Sequence, residues 1–151
     1  RCQGQLPQWG GRCWWGRGTF DFTFNNQSNI INAIGGNMKH LLNLCDSPFR
    51  LIKSGKKIYE LRLYDERRKK IKVNDELEFT NNTTGEKMNV IVEEILIYKD
   101  FKELYDSLPL LKCGYTEDDI KNATYKDMEL YYSEELQNLY NVVAFKIRLL
   151  K

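Results

Sequence analysis

From Met38 onward the chain reads as strand patterns separated by short helical stretches, with a strand pattern at each end, and this order constrains the fold more than any other feature. "HLLNLC", "IYELRL", "IKVNDELEF", "MNVIVEEILIYKD" and "VVAFKIRLL" are rich in β-formers. In "IKVNDELEF" the apolar positions are Ile71, Val73, Leu77 and Phe79, with a bend expected at Asn74-Asp75; "NNTTGEK", with Gly85, signals a hairpin turn. Between the strands, "FRLIKSGKK" reads as a helix capped by Asp46 or Ser47, with Pro48 at its first position and Gly55 at its end. "FKELYDSLP" is a helix stopping near Pro109, "TEDDIKNATYKDMELYYS" a helix capped by Thr116, and "SEELQNLY" a further turn or two. Strands that outnumber short helices predict an α+β fold, a small mixed β-barrel of about five to six strands with helices over its openings.

Residues 1–37 have a different composition. They hold all three tryptophans, seven of the ten glycines and no lysine or tyrosine, whereas all nine tyrosines lie later. Back-translation of Gly35-Gly36-Asn37-Met38 permits a ribosome-binding sequence upstream of a start codon. The expectation is therefore a leader at 1–37, non-native or disordered, from upstream read-through or a cloning remnant, and a domain at 38–151. A genuine aromatic arm that stacks on bases, or a Cys2 to Cys13 loop, is the rival.

Charge is concentrated in one place. Arg50 to Lys72 holds 10 basic and 3 acidic residues, and Val73 to Lys151 holds 9 and 16. Such a segment suits an anionic ligand met locally, or a lysine-rich edge that resists aggregation. The four cysteines lack CxxC spacing and His40 is the single histidine, so no metal and no cofactor is expected. No run of about 18 apolar residues is present, and a soluble cytoplasmic protein is the expectation.

Within the basic segment, "GKKIYELR" sets Gly55, Lys57, Glu60 and Arg62 at the spacing G-x-K-x-x-E-x-R. In an extended strand Glu60 and Arg62 share a face, where a carboxylate and a guanidinium pair and can still meet a ligand. Gly55 allows the sharp turn that precedes the strand. Lys57, at the strand's entry, is a candidate acid or base if desolvated, or a phosphate contact. A fixed ion network closing the barrel mouth is the bland alternative. The loop "DERRKK", with Arg67, Arg68, Lys69 and Lys70, is either a solvated loop or a basic patch beside the motif. In "YYS", one tyrosine is expected in the core, Ser133 as a helix cap, and Tyr132 or Ser133 as a ligand contact.

This motif, with "VNDELEF", "YKDFKEL" and "YYSEELQNLYNVVAFKI" in order after it, resembles the ASCH family, whose fold is similar to the PUA-type RNA-binding barrel. The resemblance implies three functions. One is a module for a nucleotide, modified nucleoside or single-stranded RNA, with Lys57 and Arg62 on phosphate and Glu60 on a base edge. Another is hydrolysis of N4-acetylcytidine by a lysine, threonine and glutamate. Lys57 matches the lysine, but Glu60 stands where the GxKxxTxR version has threonine, and Glu78 is a candidate for the glutamate by position alone. The third is a ribonuclease using Lys57, Tyr132 and Ser133. If the protein is an enzyme, Lys57 and Glu60 are the candidate catalytic residues. A solvated Lys57 in a shallow site would favour binding, and a desolvated Lys57 beside a nucleoside-sized pocket would favour hydrolysis.

Overall fold

In the computed structural model, which describes residues 38–151, the strand β5 (Val142–Leu149) is buried on both faces. Val142 and Ala144 pack into one core with Leu61, Leu63, Leu104 and Met128, while Val143, Phe145 and Ile147 pack into a second with Leu44, Phe49, Leu77 and Phe79. Burial on both faces explains why "VVAF" is continuously apolar and does not alternate.

The other strands are β1 (Lys39–Leu44), β2 (Tyr59–Leu63), β3 (Glu76–Asn81) and β4 (Lys87–Tyr98), with helices α1 (Asp46–Lys53), α2 (Phe101–Ser107) and α3 (Glu134–Tyr140). They form one five-stranded sheet of order β1-β3-β4-β5-β2, curled into a half-barrel. Strands β1 and β3 run parallel, and the remaining pairs are antiparallel. The long β4 changes register between Val92 and Glu94, an irregularity of the kind that bends a strand and deepens the curl. The expected mixed barrel with short helices is thus found, with five strands.

Local differences have local causes. Helix α1 starts at Asp46, placing Pro48 third, and ends at Lys53 before Gly55 turns the chain at φ 84°. The amides of Lys56 and Lys57 both donate to the Leu51 carbonyl at 3.0 Å, which tightens that turn. The third strand begins at Glu76, not Ile71: Ile71 is buried outside the sheet and Val73 is 48 % exposed. The bend falls at Asn74, φ 76°, and Asp75 fixes it by accepting from Met38 N (3.1 Å), Lys72 N (2.9 Å) and His40 Nε2 (2.9 Å). "TEDDIKNATYKDMELYYS" is not one helix but two 3-10 segments, Ile120–Asn122 and Tyr125–Leu130. Its polar side chains compete for the backbone. Asp119 accepts from the Thr116 hydroxyl, and Thr124 with Asp127 builds a capping box that restarts the chain at 125.

The leader readings at residues 1–37, including the Cys2 to Cys13 loop, lie outside the described residues. Among the described residues no helix is long and apolar enough to cross a membrane.

Candidate functional site

Strand β2 sits at one edge of the sheet and brings the motif together. Its period of two sends Leu61 and Leu63 into the core that α2 and Tyr132 share. Glu60 and Arg62, paired in register with Phe145 and Val143, take the opposite face. All three charged motif side chains are buried: Lys57 and Glu60 have no exposed side-chain surface, and Arg62 has 3 %. They form a fixed network. Arg62 Nε donates to Glu60 Oε2 at 2.8 Å, and Arg62 Nη2 lies 2.8 Å from the same oxygen. Glu60 Oε1 is 3.1 Å from Lys57 Nζ, an ion pair off the hydrogen-bond direction. Two backbone carbonyls join the set: Lys57 Nζ donates to Cys113 O (3.2 Å) and Arg62 Nη2 to Asn43 O (3.1 Å).

Burial pushes the Glu60 carboxyl up, but the Lys57 and Arg62 charges outweigh it and hold the group below the usual carboxylate range. The pairing expected from strand geometry is present. Its form differs, because both guanidinium nitrogens converge on one oxygen and leave the other for Lys57.

The cluster extends into the loop after β2. Asp65 accepts from the amide of Arg68 (3.1 Å) and from its Nη1 (3.0 Å), and the 3-10 turn Arg68–Lys70 follows. The Arg68 side chain is 14 % exposed. Burial depresses its pKa and the Arg62 charge adds to the effect, with Asp65 opposing it. Tyr132 is buried against the same group, its ring stacked on Phe101 at 5.8 Å between centroids. Desolvation pushes its hydroxyl up to about 12, against the pull of Arg62 and Arg68. Its hydroxyl is therefore a neutral proton carrier at neutral pH.

Lys57, Glu60, Arg62, Arg68 and Tyr132 thus converge, with Arg67 acting on Arg68 at the edge of the group, whereas other sequence candidates do not. Lys69 and Lys70 are exposed, and Lys69 pairs with Glu66 at 3.2 Å. Ser133 caps α3, its Oγ accepting from Leu136 N at 3.3 Å. Glu78 lies on the other face of β3 from buried Leu77 and Phe79, between Lys39 (3.3 Å) and Lys87 (3.2 Å). Gly55 touches the region through a cleft of about 370 Å³, lined also by Lys53, Lys57, Ile58, Lys146 and Arg148. Sequence reasoning missed Asp65 and the Asn43 and Cys113 carbonyls. Asp65 had a signal in its place just ahead of the arginines; the carbonyls had none, since a backbone acceptor carries no residue signature.

The family model for the ASCH domain matches residues 42–151. Among solved structures the chain is similar to hypothetical protein PH0355, with 33 % identity, a TM-score of 0.62, and coverage of 75 % of this chain and 100 % of that one. It is similar to protein PF0455 from Pyrococcus furiosus at 29 % identity and a TM-score of 0.54, covering 76 % of this chain and 99 % of that one. It shares its fold with ASCH from Zymomonas mobilis at 15 % identity and a TM-score of 0.51, covering 73 % of this chain and 66 % of that one. No curated protein matches.

Proposed function

The chain belongs to the ASCH domain family, and on that premise we propose that it binds a nucleotide or a short single-stranded RNA in the cationic cluster around β2. One observation carries this reading: Arg68, with Arg67 beside it, adds positive charge next to Arg62, so the cluster holds more cations than the carboxylates Glu60 and Asp65 neutralise. An excess of buried cation suits an anionic ligand. The exposed Lys69 and Lys70 beside the cluster suit the backbone of a nucleic-acid strand.

The catalytic readings ask more of the same residues. A base, an acid or a phosphate contact must reach its ligand, and Lys57 Nζ is enclosed between Glu60 and the Cys113 carbonyl, so it is not the solvated contact expected of a binding site and contributes to the cluster through its charge. A ribonuclease built on Ser133 would need a hydroxyl that is occupied in capping α3. Hydrolysis of an N4-acetylcytidine-like nucleoside keeps one supporting observation, the complete desolvation of Lys57 beside the cleft that Gly55 lines.

The test is titration of the full chain with a short single-stranded RNA and with nucleotides, followed by fluorescence anisotropy over a range of salt. Binding that weakens linearly on a log–log salt plot is expected, with no consumption of N4-acetylcytidine. Turnover of that nucleoside, abolished in Lys57→Ala, would establish the hydrolase instead.

A further inference from the structure

The charged side chains linked from Lys57 through Glu60 and Arg62 to Arg68 and its neighbours do not balance. Lys57, Arg62, Arg67 and Arg68 supply four cations, and Glu60 and Asp65 supply two carboxylates. Both carboxylates are already committed: Glu60 faces Lys57 and Arg62, and Asp65 receives the amide and Nη1 of Arg68. What remains is specific. Arg67 Nε, Arg67 Nη2 and Arg68 Nε are buried and have no hydrogen-bond partner among the described residues. A buried donor left without an acceptor costs about 1–3 kcal/mol, and more when charged. Both side chains keep partial exposure, so this demand for oxygen acceptors sits at the edge of the cluster and not in a sealed core.

We infer that Arg67 and Arg68 form a subsite for a phosphate monoester, the terminal phosphate of the nucleotide or RNA ligand. The inference rests on the nucleotide-binding reading above and narrows it. A phosphate monoester carries about −1.5 to −2 charge at pH 7 and three acceptor oxygens. One such group matches the surplus of two positive charges and offers an oxygen to each orphaned nitrogen. A phosphodiester carries a single charge and two non-bridging oxygens, so an internal linkage leaves the cluster cationic. Arginine suits the task, because its planar fork meets phosphate oxygens two at a time. The ligand is therefore a nucleoside monophosphate or a phosphorylated chain end, in preference to the interior of a strand.

The experiment is isothermal titration of the full chain with three probes: the four nucleoside 5′-monophosphates, the four nucleosides, and a mixed-sequence RNA hexamer with hydroxyls at both ends. Arg67→Gln is the cleaner variant, since Arg67 has no carboxylate partner among the described residues; Arg67→Gln/Arg68→Gln is the stronger one. Thermal melting reports on folding in each. At least one monophosphate is expected to bind about tenfold or more tighter than its nucleoside, and Arg67→Gln is expected to erase most of that ratio with melting unchanged. A monophosphate advantage that survives in both folded variants would place the phosphate elsewhere and overturn the inference, leaving nucleotide binding intact. Binding of the hydroxyl-ended hexamer with no monophosphate advantage would overturn it in the same way. Absence of binding to every probe would overturn both the inference and the nucleotide-binding reading beneath it.

Discussion

Glu60 is the residue on which the cluster depends, because it is the one carboxylate between two buried cations. Glu60→Gln removes the charge, keeps the shape, and leaves Lys57 and Arg62 buried without the carboxylate between them. Breaking a buried pair this way costs about 3–5 kcal/mol, and urea denaturation at pH 7 should find that loss. The pH dependence has a definite sign. The Glu60 pKa in the folded protein lies below its ordinary value of 4.5, so its stabilisation is complete above that value and lost as pH falls through the lower folded one. The stability gap between the wild type and Glu60→Gln is therefore expected to be constant above about pH 5 and to close at more acidic pH; a gap that widens on acidification would contradict the assignment. At this scale the sequence was informative about direction, since the two-residue spacing put Glu60 and Arg62 on one face. It was silent about depth. Whether a charged side chain is solvated or enclosed depends on what covers it, and here the covering groups are backbone carbonyls from distant segments.

Among the elements, those with an apolar period were legible and those held by polar side chains were not. Strands β4 and β5 follow from their β-branched runs, and the hairpin turn at Gly85, φ 77°, from its composition. The segment 116–131 has helical-looking charge placement, yet Thr116, Asp119, Thr124 and Asp127 bind one another and nearby amides and divide it into tight turns. Helix α3 shows what a single cap does in this region. Its seven residues fully bury only Gln137 and half-bury Leu136 and Tyr140 against the core, and the Ser133 hydroxyl caps its start. Ser133→Ala is expected to lower stability by about 0.5–2 kcal/mol, read from the shift in thermal midpoint, while RNA and nucleotide affinity stay within twofold. A large loss of affinity without loss of stability would return Ser133 to the ligand site.

At the scale of the whole molecule, the half-barrel has two outer strands, β1 and β2, and Arg62 reaches from one to the other through the Asn43 carbonyl. A lysine has one ammonium where arginine has a fork, so Arg62→Lys cannot hold Glu60 and span that gap together. Loss of a charge-assisted hydrogen bond of about 1.5 kcal/mol is expected to speed amide exchange in β1 and β2 about tenfold, with the β4–β5 ladder little changed. Uniform acceleration across all five strands would mean that Arg62 supports the fold generally and not its closure. The mixed half-barrel itself was legible from the order of strands and short helices, but the neighbour of each strand was not, because pairing is non-local. That non-locality has a temporal side. In the sheet β2 has β5 as its ladder partner, and β5 is the last of the five strands in the chain. During synthesis β1, β3 and β4 can join as soon as they emerge, while the motif strand waits for residues 142–149 with its lysine, glutamate and arginine unassembled. The charged cluster is thus among the last parts of the fold to assemble, and a nascent chain halted before β5 would have much of the sheet without the strand against which Glu60 and Arg62 are aligned.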